Sequence, residues 1–299
     1  MGANFDFPYR VEQIDELPSQ VREKLKQGLS AGEKPLHMFA MPRQRDWFQM
    51  ALGLPAEYSY FFLTDRQILV IHDLKKGLRT ESCLISSLAY FEIGTVLLNS
   101  WLRFVPSPDS NEKQIKLPYN TVFGREIRSA AICLRALTLG LQNQPERIFE
   151  GIVGLELIRS LPLKFNNMSR EYWLKDEAAL SVAFVPAIWV PRLRYFRRVY
   201  SFATALILTD KQLLIVTEQG VEGSAGKYGE TWMFCPLTHI RQLSVGNVLE
   251  YPLGLFQLGV GPSTPSETIN IPFPPESEHD IRDLAGAVDR LRQPSALAR

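Results

Sequence analysis

The chain has 299 residues, 45% of them hydrophobic and 22% charged, a globular balance that excludes extended disorder. At roughly 100–200 residues per domain, that length points to about two domains. Lys and Arg number 33 against 32 Asp and Glu, which excludes nucleic-acid binding through a global basic field, and three cysteines are too few for a disulfide framework, so a reducing compartment is expected.

Residues 1–10 carry Asp6 and Arg10, and no apolar stretch of signal-peptide length follows, so no targeting segment is expected. Asp15 to Leu29 reads as an amphipathic lead-in helix with Pro18 near its first turn. Phe61–Ile71 (FFLTDRQILVI) reads as strand, tight turn, strand, with Asp65 expected to bond the turn backbone. Gly124 to Leu141 sets Ile127, Ala131, Leu134, Leu137 and Leu141 on one stripe and predicts a helix. Pro145 to Ser160 predicts a connector helix, too apolar to hang free. Ala178 to Val190 is the longest apolar run, at thirteen residues including Pro186. It falls short of the roughly 20 residues of a membrane-spanning helix and reads as buried strand, or as two strands broken at the proline. Leu206–Val216 (LILTDKQLLIV) predicts a second hairpin, Gly220 to Gly229 a flexible hairpin loop, and Met233 to Val245 a strand pair or meander. Pro275 to Leu291 predicts a closing helix, with Glu276, Glu278 and Asp280 at its start and Arg290 and Arg292 at its end, as the helix dipole favours.

The two hairpin segments share five of eleven positions. Two further blocks match in the same order. Met41-Pro42-Arg43-Gln44-Arg45 faces Val190-Pro191-Arg192-Leu193-Arg194, with Trp47 and Phe196 in matching places. Cys83-Leu84-Ile85-Ser86-Ser87-Leu88 faces Cys235-Pro236-Leu237-Thr238-His239-Ile240, and the match runs on to Gly94 and Gly246. Ordered blocks of this kind mark an internal duplication. The lead-in and connector helices are expected to lie outside the repeated unit.

The segments Leu63-Thr64-Asp65-Arg66-Gln67-Ile68-Leu69, Leu208-Thr209-Asp210-Lys211-Gln212-Leu213-Leu214 and Cys235 to Gly246, followed by a final amphipathic helix, resemble the PH-like superfold, and within it bacterial PH-like and GRAM-type domains. The resemblance implies a mainly β chain with α-helices: two tandem PH-like barrels, each closed by a C-terminal amphipathic helix, plus lead-in and connector helices. The expected division is a lead-in at 1–34, a first barrel at 35–142, a connector at 143–176 and a second barrel at 177–299. It also implies binding of phosphoinositide head groups, peptides or proteins, without catalysis.

Pro191 to Tyr200 (PRLRYFRRVY) carries the most informative local chemistry, with Arg192, Arg194, Arg197 and Arg198 set among Tyr195, Phe196 and Tyr200. On a strand, Arg192 and Arg194 would face the same side, and arginine forks suit phosphate or carboxylate oxygens. The resemblance places this segment where lipid-binding PH domains carry their basic residues. The first copy keeps Arg43 and Arg45, then has Asp46. Three readings stand: a solvated strand or loop paired with acids of the other copy, a site for an anion or anionic membrane surface, and a site for an acidic protein partner.

Catalysis finds little support. His37, His72, His239 and His279 are scattered without metal-ligand spacing, and His239 reads as a structural strand residue. Cys83, Cys133 and Cys235 read as buried core positions. Most of Trp47, Trp101, Trp173, Trp189 and Trp232 are expected in the core or at the seam, and Tyr251 to Phe256 reads as core strand. No cofactor or metal is expected. The sequence thus predicts a non-enzymatic, cytoplasmic binding or scaffolding protein that takes a protein partner and no nucleic acid. The alternatives are a peripheral membrane adaptor using Arg192, Arg194, Arg197 and Arg198, and an enzyme with a site at the domain seam.

Overall fold

The computed structural model describes residues 7–42, 57–107, 109–141, 153–175, 177–193, 196–219, 229–261 and 267–292. The N-terminal half runs β1 (Tyr9–Arg10), α1 (Ser19–Gly28), β2 (His37–Pro42), β3 (Tyr58–Leu63), β4 (Gln67–Leu74), β5 (Gly77–Leu84), β6 (Leu88–Val96), β7 (Asn99–Pro106), β8 (Ile115–Asn120) and α2 (Gly124–Thr138). The C-terminal half runs α3 (Leu155–Arg159), α4 (Leu163–Arg170), β9 (Ala179–Val185), β10 (Ile188–Leu193), β11 (Phe196–Ser201), β12 (Thr204–Thr209), β13 (Gln212–Gln219), β14 (Gly229–Pro236), β15 (Ile240–Asn247), β16 (Gly254–Val260), β17 (Glu267–Phe273) and α5 (Glu278–Arg292). The chain is mainly β and all its named strand pairs are antiparallel.

The two expected hairpins form and correspond in register. Ile68 faces Cys83 across β4 and β5 as Leu213 faces Cys235 across β13 and β14. A 3-10 turn follows each cysteine strand, Ile85–Ser87 and Leu237–His239, and the Ile85 and Leu237 amides donate to the Arg66 and Lys211 carbonyls. The next strand carries a register shift at the same place, between Leu88 and Tyr90 and between Ile240 and Gln242. The long apolar run divides at the proline into β9 and β10, as expected.

Closed barrels do not form among the described residues. The strands make open sheets of five (β1-β2-β3-β4-β5), two (β10-β11), three (β15-β16-β17) and seven strands (β8-β7-β6-β14-β13-β12-β9). The halves are joined inside the seven-stranded sheet, where β6 pairs with β14 from Gly229 opposite Val96 to Phe234 opposite Phe91. Trp232 and Phe234 of β14 and Phe91 and Ile93 of β6 share one face there, all buried, so water is excluded from the joint. Burial of such side chains contributes roughly 1.5–3 kcal/mol each. Gly229 has no room for a side chain, because a Cβ would overlap the Thr95 carbonyl. Met233 to Val245 is therefore not a strand pair: β14 bonds β13 and β6, whereas β15 bonds β16.

The two long C-terminal helices differ in surroundings. α5 buries one stripe, Ile281, Leu284, Ala285 and Val288, and leaves Leu291 exposed. α2 buries Ile127, Ala130, Ala131, Ile132, Cys133, Leu134, Arg135 and Ala136, nearly its whole circumference, which is the pattern of a helix packed on two sides. One main core unites both halves along α2, a second joins the C-terminal half to Ala89, Tyr90 and Val105 of β6 and β7, and a third holds α1 against β2, β3 and β4.

The helix before each half begins alike. Leu17-Pro18 before α1 corresponds to Leu161-Pro162 before α4, with both leucines buried and both prolines at the helix N-cap. The Pro18 and Pro162 carbonyls accept from Arg22 and Asn166. The connector predicted at 145–160 lies outside the described residues up to 152, and beyond it the chain forms the short α3 and then α4. Among the described residues no helix is long and apolar enough to cross a membrane.

Candidate binding surface

Each hairpin turn is organised by its threonine rather than by the aspartate. Thr64 Oγ1 accepts from the Arg66 and Gln67 amides, and its one hydroxyl hydrogen lies within reach of both the Glu33 carboxylate at 2.5 Å and the Gln67 carbonyl at 3.0 Å. Thr209 Oγ1 accepts from the Lys211 and Gln212 amides and donates to the Gln212 carbonyl. Asp65 is exposed, and Asp210 instead accepts from the Ala178 amide at 2.9 Å. The glutamine after each turn donates to a carboxylate far back in the chain: Gln67 to Glu33 at 3.1 Å and Gln212 to Glu177 at 2.8 Å. Each carboxylate also accepts from the amide three residues before it, Ser30 at 2.8 Å and Leu174 at 3.3 Å. Burial pushes the Glu33 carboxyl up, but the bonds from Thr64, Ser30 and Gln67 outweigh it and hold it below its ordinary value.

Among the described residues only the C-terminal clamp receives a cation. Arg135 reaches out of α2, completely buried, and its Nη2 donates to both Glu177 oxygens at 2.9 and 2.7 Å. Nη1 donates to the Tyr172 carbonyl, and the guanidinium lies 4.8 Å from the Phe234 ring centroid. A helix of the first half thus secures the first turn-and-strand of the second. On the opposite face of the joint, Tyr90 donates to Glu267 at 2.6 Å, Arg103 pairs with Glu267 at 3.1 Å and Glu92 at 3.5 Å, and Trp101 donates to Glu92 at 2.7 Å.

The arginine segment forms the β10–β11 hairpin, which projects between β9 and β12. Ile188 and Val190 are buried at its root, whereas Trp189, Tyr200 and Arg198 are exposed. Tyr200 leans on Tyr251 of the β15–β16 loop, ring centroids 5.1 Å apart and planes at 60°. That loop also carries fully exposed Leu249. Arg192 and Arg197 lie on the two strands of the hairpin, while Arg194 and Tyr195 lie outside the described residues. β10 ends at Leu193 after a register shift between Pro191 and Leu193. The first-copy positions Arg43, Arg45, Asp46 and Trp47 and the glycine-rich loop from 220 to 228 also lie outside the described residues.

The three thiols are withdrawn from solvent. All three cysteines are buried, and burial pushes the Cys83 thiol up to about 12 and raises those of Cys133 and Cys235. His239 sits in a 3-10 turn rather than a strand, and burial lowers its pKa against opposing bonds from the Leu88 and Ala89 backbone. Among the described residues no group of three or more His, Cys, Asp or Glu is placed to hold a metal ion. Trp173 and Trp232 are core residues, but Trp189 is exposed.

Sequence reasoning missed Arg135, Glu33 and Glu177. The one available signal was a lone arginine inside an otherwise apolar helix segment, Ala130 to Leu137. No family model matches the chain, and no curated protein matches it. Among solved structures, the DH/PH domains of p115-RhoGEF (R399E mutant) align over 56% of this chain and 43% of theirs, at 8% identity and a TM-score of 0.24, a likeness too slight to bear on fold or function.

Proposed function

We propose that the chain is a non-enzymatic binding and scaffolding protein made of two PH-like units, fused into one rigid body, and that its partner is a protein. The observation that carries this reading is the joint. The shared sheet at β6 and β14 and the buried Arg135–Glu177 pair hold two similar sets of strands at a set distance and angle. Such a body serves to present surfaces together, because two contacts held rigidly raise avidity. The burial of all three thiols and of the Arg135–Glu177 pair leaves those groups to structure rather than to turnover. Purification of the full chain from its source cell is expected to retain one protein at fixed stoichiometry through a high-salt wash. Recovery of the chain alone would overturn the reading.

A second reading, peripheral attachment to an anionic membrane, is favoured by the exposed Trp189, Tyr200, Arg198 and Leu249 around the arginine hairpin. Aromatic rings and arginines of this kind suit a lipid–water interface. Under it, phosphatidylserine vesicles sediment the protein at low salt, and replacing Arg192, Arg194 and Arg197 by Glu abolishes the effect.

A further inference from the structure

Strand β6 is the outer strand of its own three-strand group, and β14 from the other half has been added to it. The added strand puts two large aromatic side chains two residues apart on the joint: Trp232 opposite Ile93 and Phe234 opposite Phe91. The counterpart of β6 in the C-terminal half is β15. Both follow a buried cysteine and a 3-10 turn, and both have the same early register shift. Among the described residues β15 is bonded on one side only, to β16.

The side chains on β15 register that vacancy. Leu243 and Val245 stand where β6 has Phe91 and Ile93; the latter are fully covered, the former only partly. Leu291 of α5 stands where α2 has Leu137, and it is 44% exposed, whereas Leu137 packs on the core. Arg292 Nη2 donates to the Arg241 carbonyl at 2.6 Å, so an edge carbonyl of β15 already faces away from β16 towards a donor. Sheet edges with outward backbone groups beside an apolar strip accept extended peptides.

We propose that the edge of β15, beside α5, is a strand-addition site for an extended segment of a protein partner. The segment runs antiparallel to β15 and carries two large apolar side chains two residues apart, opposite Leu243 and Val245. The inference rests on the protein-binding reading above and names where that partner docks. A second copy of the chain fits poorly. The counterpart of β14 in the first half is β5, an edge strand of its sheet, and it has Thr80 and Ser82 where β14 has Trp232 and Phe234, with Arg79 and Glu81 between and beside them. A lipid surface offers no strand to pair.

The test uses the full chain and, as probe, a fluorescent peptide of residues 229–236 with Cys235→Ser. Saturable binding is expected, with slowed amide hydrogen exchange confined to residues 240–247. Leu243→Lys should weaken it at least tenfold, and so should Trp232→Ala with Phe234→Ala in the peptide. Val245→Lys serves as the second variant should Leu243→Lys lower the melting temperature. The proposal is overturned by absence of saturation, by protection elsewhere, by equal affinity for the Lys variants, or by concentration-dependent self-association that Leu243→Lys removes. A native partner that co-purifies equally with wild type and Leu243→Lys would sink the site and leave the scaffold reading standing.

Discussion

Arg135 is the residue on which the two halves most depend. Its charge is compensated only because Glu177 is held in place by Gln212 and the Leu174 amide, so the carboxylate reaches both the second hairpin and the first half's helix. Buried pairs of this kind contribute little relative to an apolar pair of the same volume, but losing one partner strands the other charge. Arg135→Met should therefore destabilise the chain by about 3–5 kcal/mol, and adding Glu177→Gln should recover part of that loss. Urea denaturation of the two single variants and the double variant measures the coupling. A cost under about 1 kcal/mol for Arg135→Met would mean that the pair is solvated in solution.

At the scale of elements, the repeated hairpin is stabilised by one hydroxyl. Thr209 satisfies two amides and donates to one carbonyl in a buried turn, and Thr64 accepts from the two matching amides in the first half. Valine has the same shape without the hydroxyl. Thr209→Val should cost about 1–3 kcal/mol, because the turn amides lose their acceptor. Asp65→Ala, at an exposed position in the matching turn, should stay within about 0.5 kcal/mol of wild type. Thermal melts of the two variants give the comparison directly. Both hairpins were legible in the sequence, since the alternation of apolar runs and turn residues is local. The choice of threonine over aspartate as the organiser was not, because it depends on which oxygen the folded turn brings within reach of the amides.

At the scale of the molecule, continuity of the seven-stranded sheet makes the halves one cooperative unit. Separating them would expose Trp232, Phe234, Phe91 and Ile93 and uncover a helix, α2, that is buried nearly all round. The full chain should unfold in a single transition, coincident by tryptophan fluorescence and far-UV circular dichroism. Fragments 1–142 and 143–299 should bind a hydrophobic dye and melt without a cooperative transition when made separately. Two resolved transitions in the intact chain, or a natively folded fragment, would contradict this account of the joint.

The strand-rich class, the two hairpins, the two long helices and most of the apolar stripe of α5 were readable from residue order, because each is set by period and turn chemistry within a few tens of residues. The arginine segment, read from the sequence as a strand or loop, is a hairpin in the structure, with a register shift that no local pattern announces. The likeness of α1 and α4 rested on a match as thin as Leu17-Pro18 with Leu161-Pro162, below what composition distinguishes. Which strand edges meet is a different kind of fact. Pairing β14 with β6 rather than leaving two separate bodies depends on surfaces far apart in the chain, and on the aromatic side chains that only the folded halves bring face to face. Local chemistry therefore determined the hairpins and helices of this protein, and long-range packing decided which strand edges join them into one body.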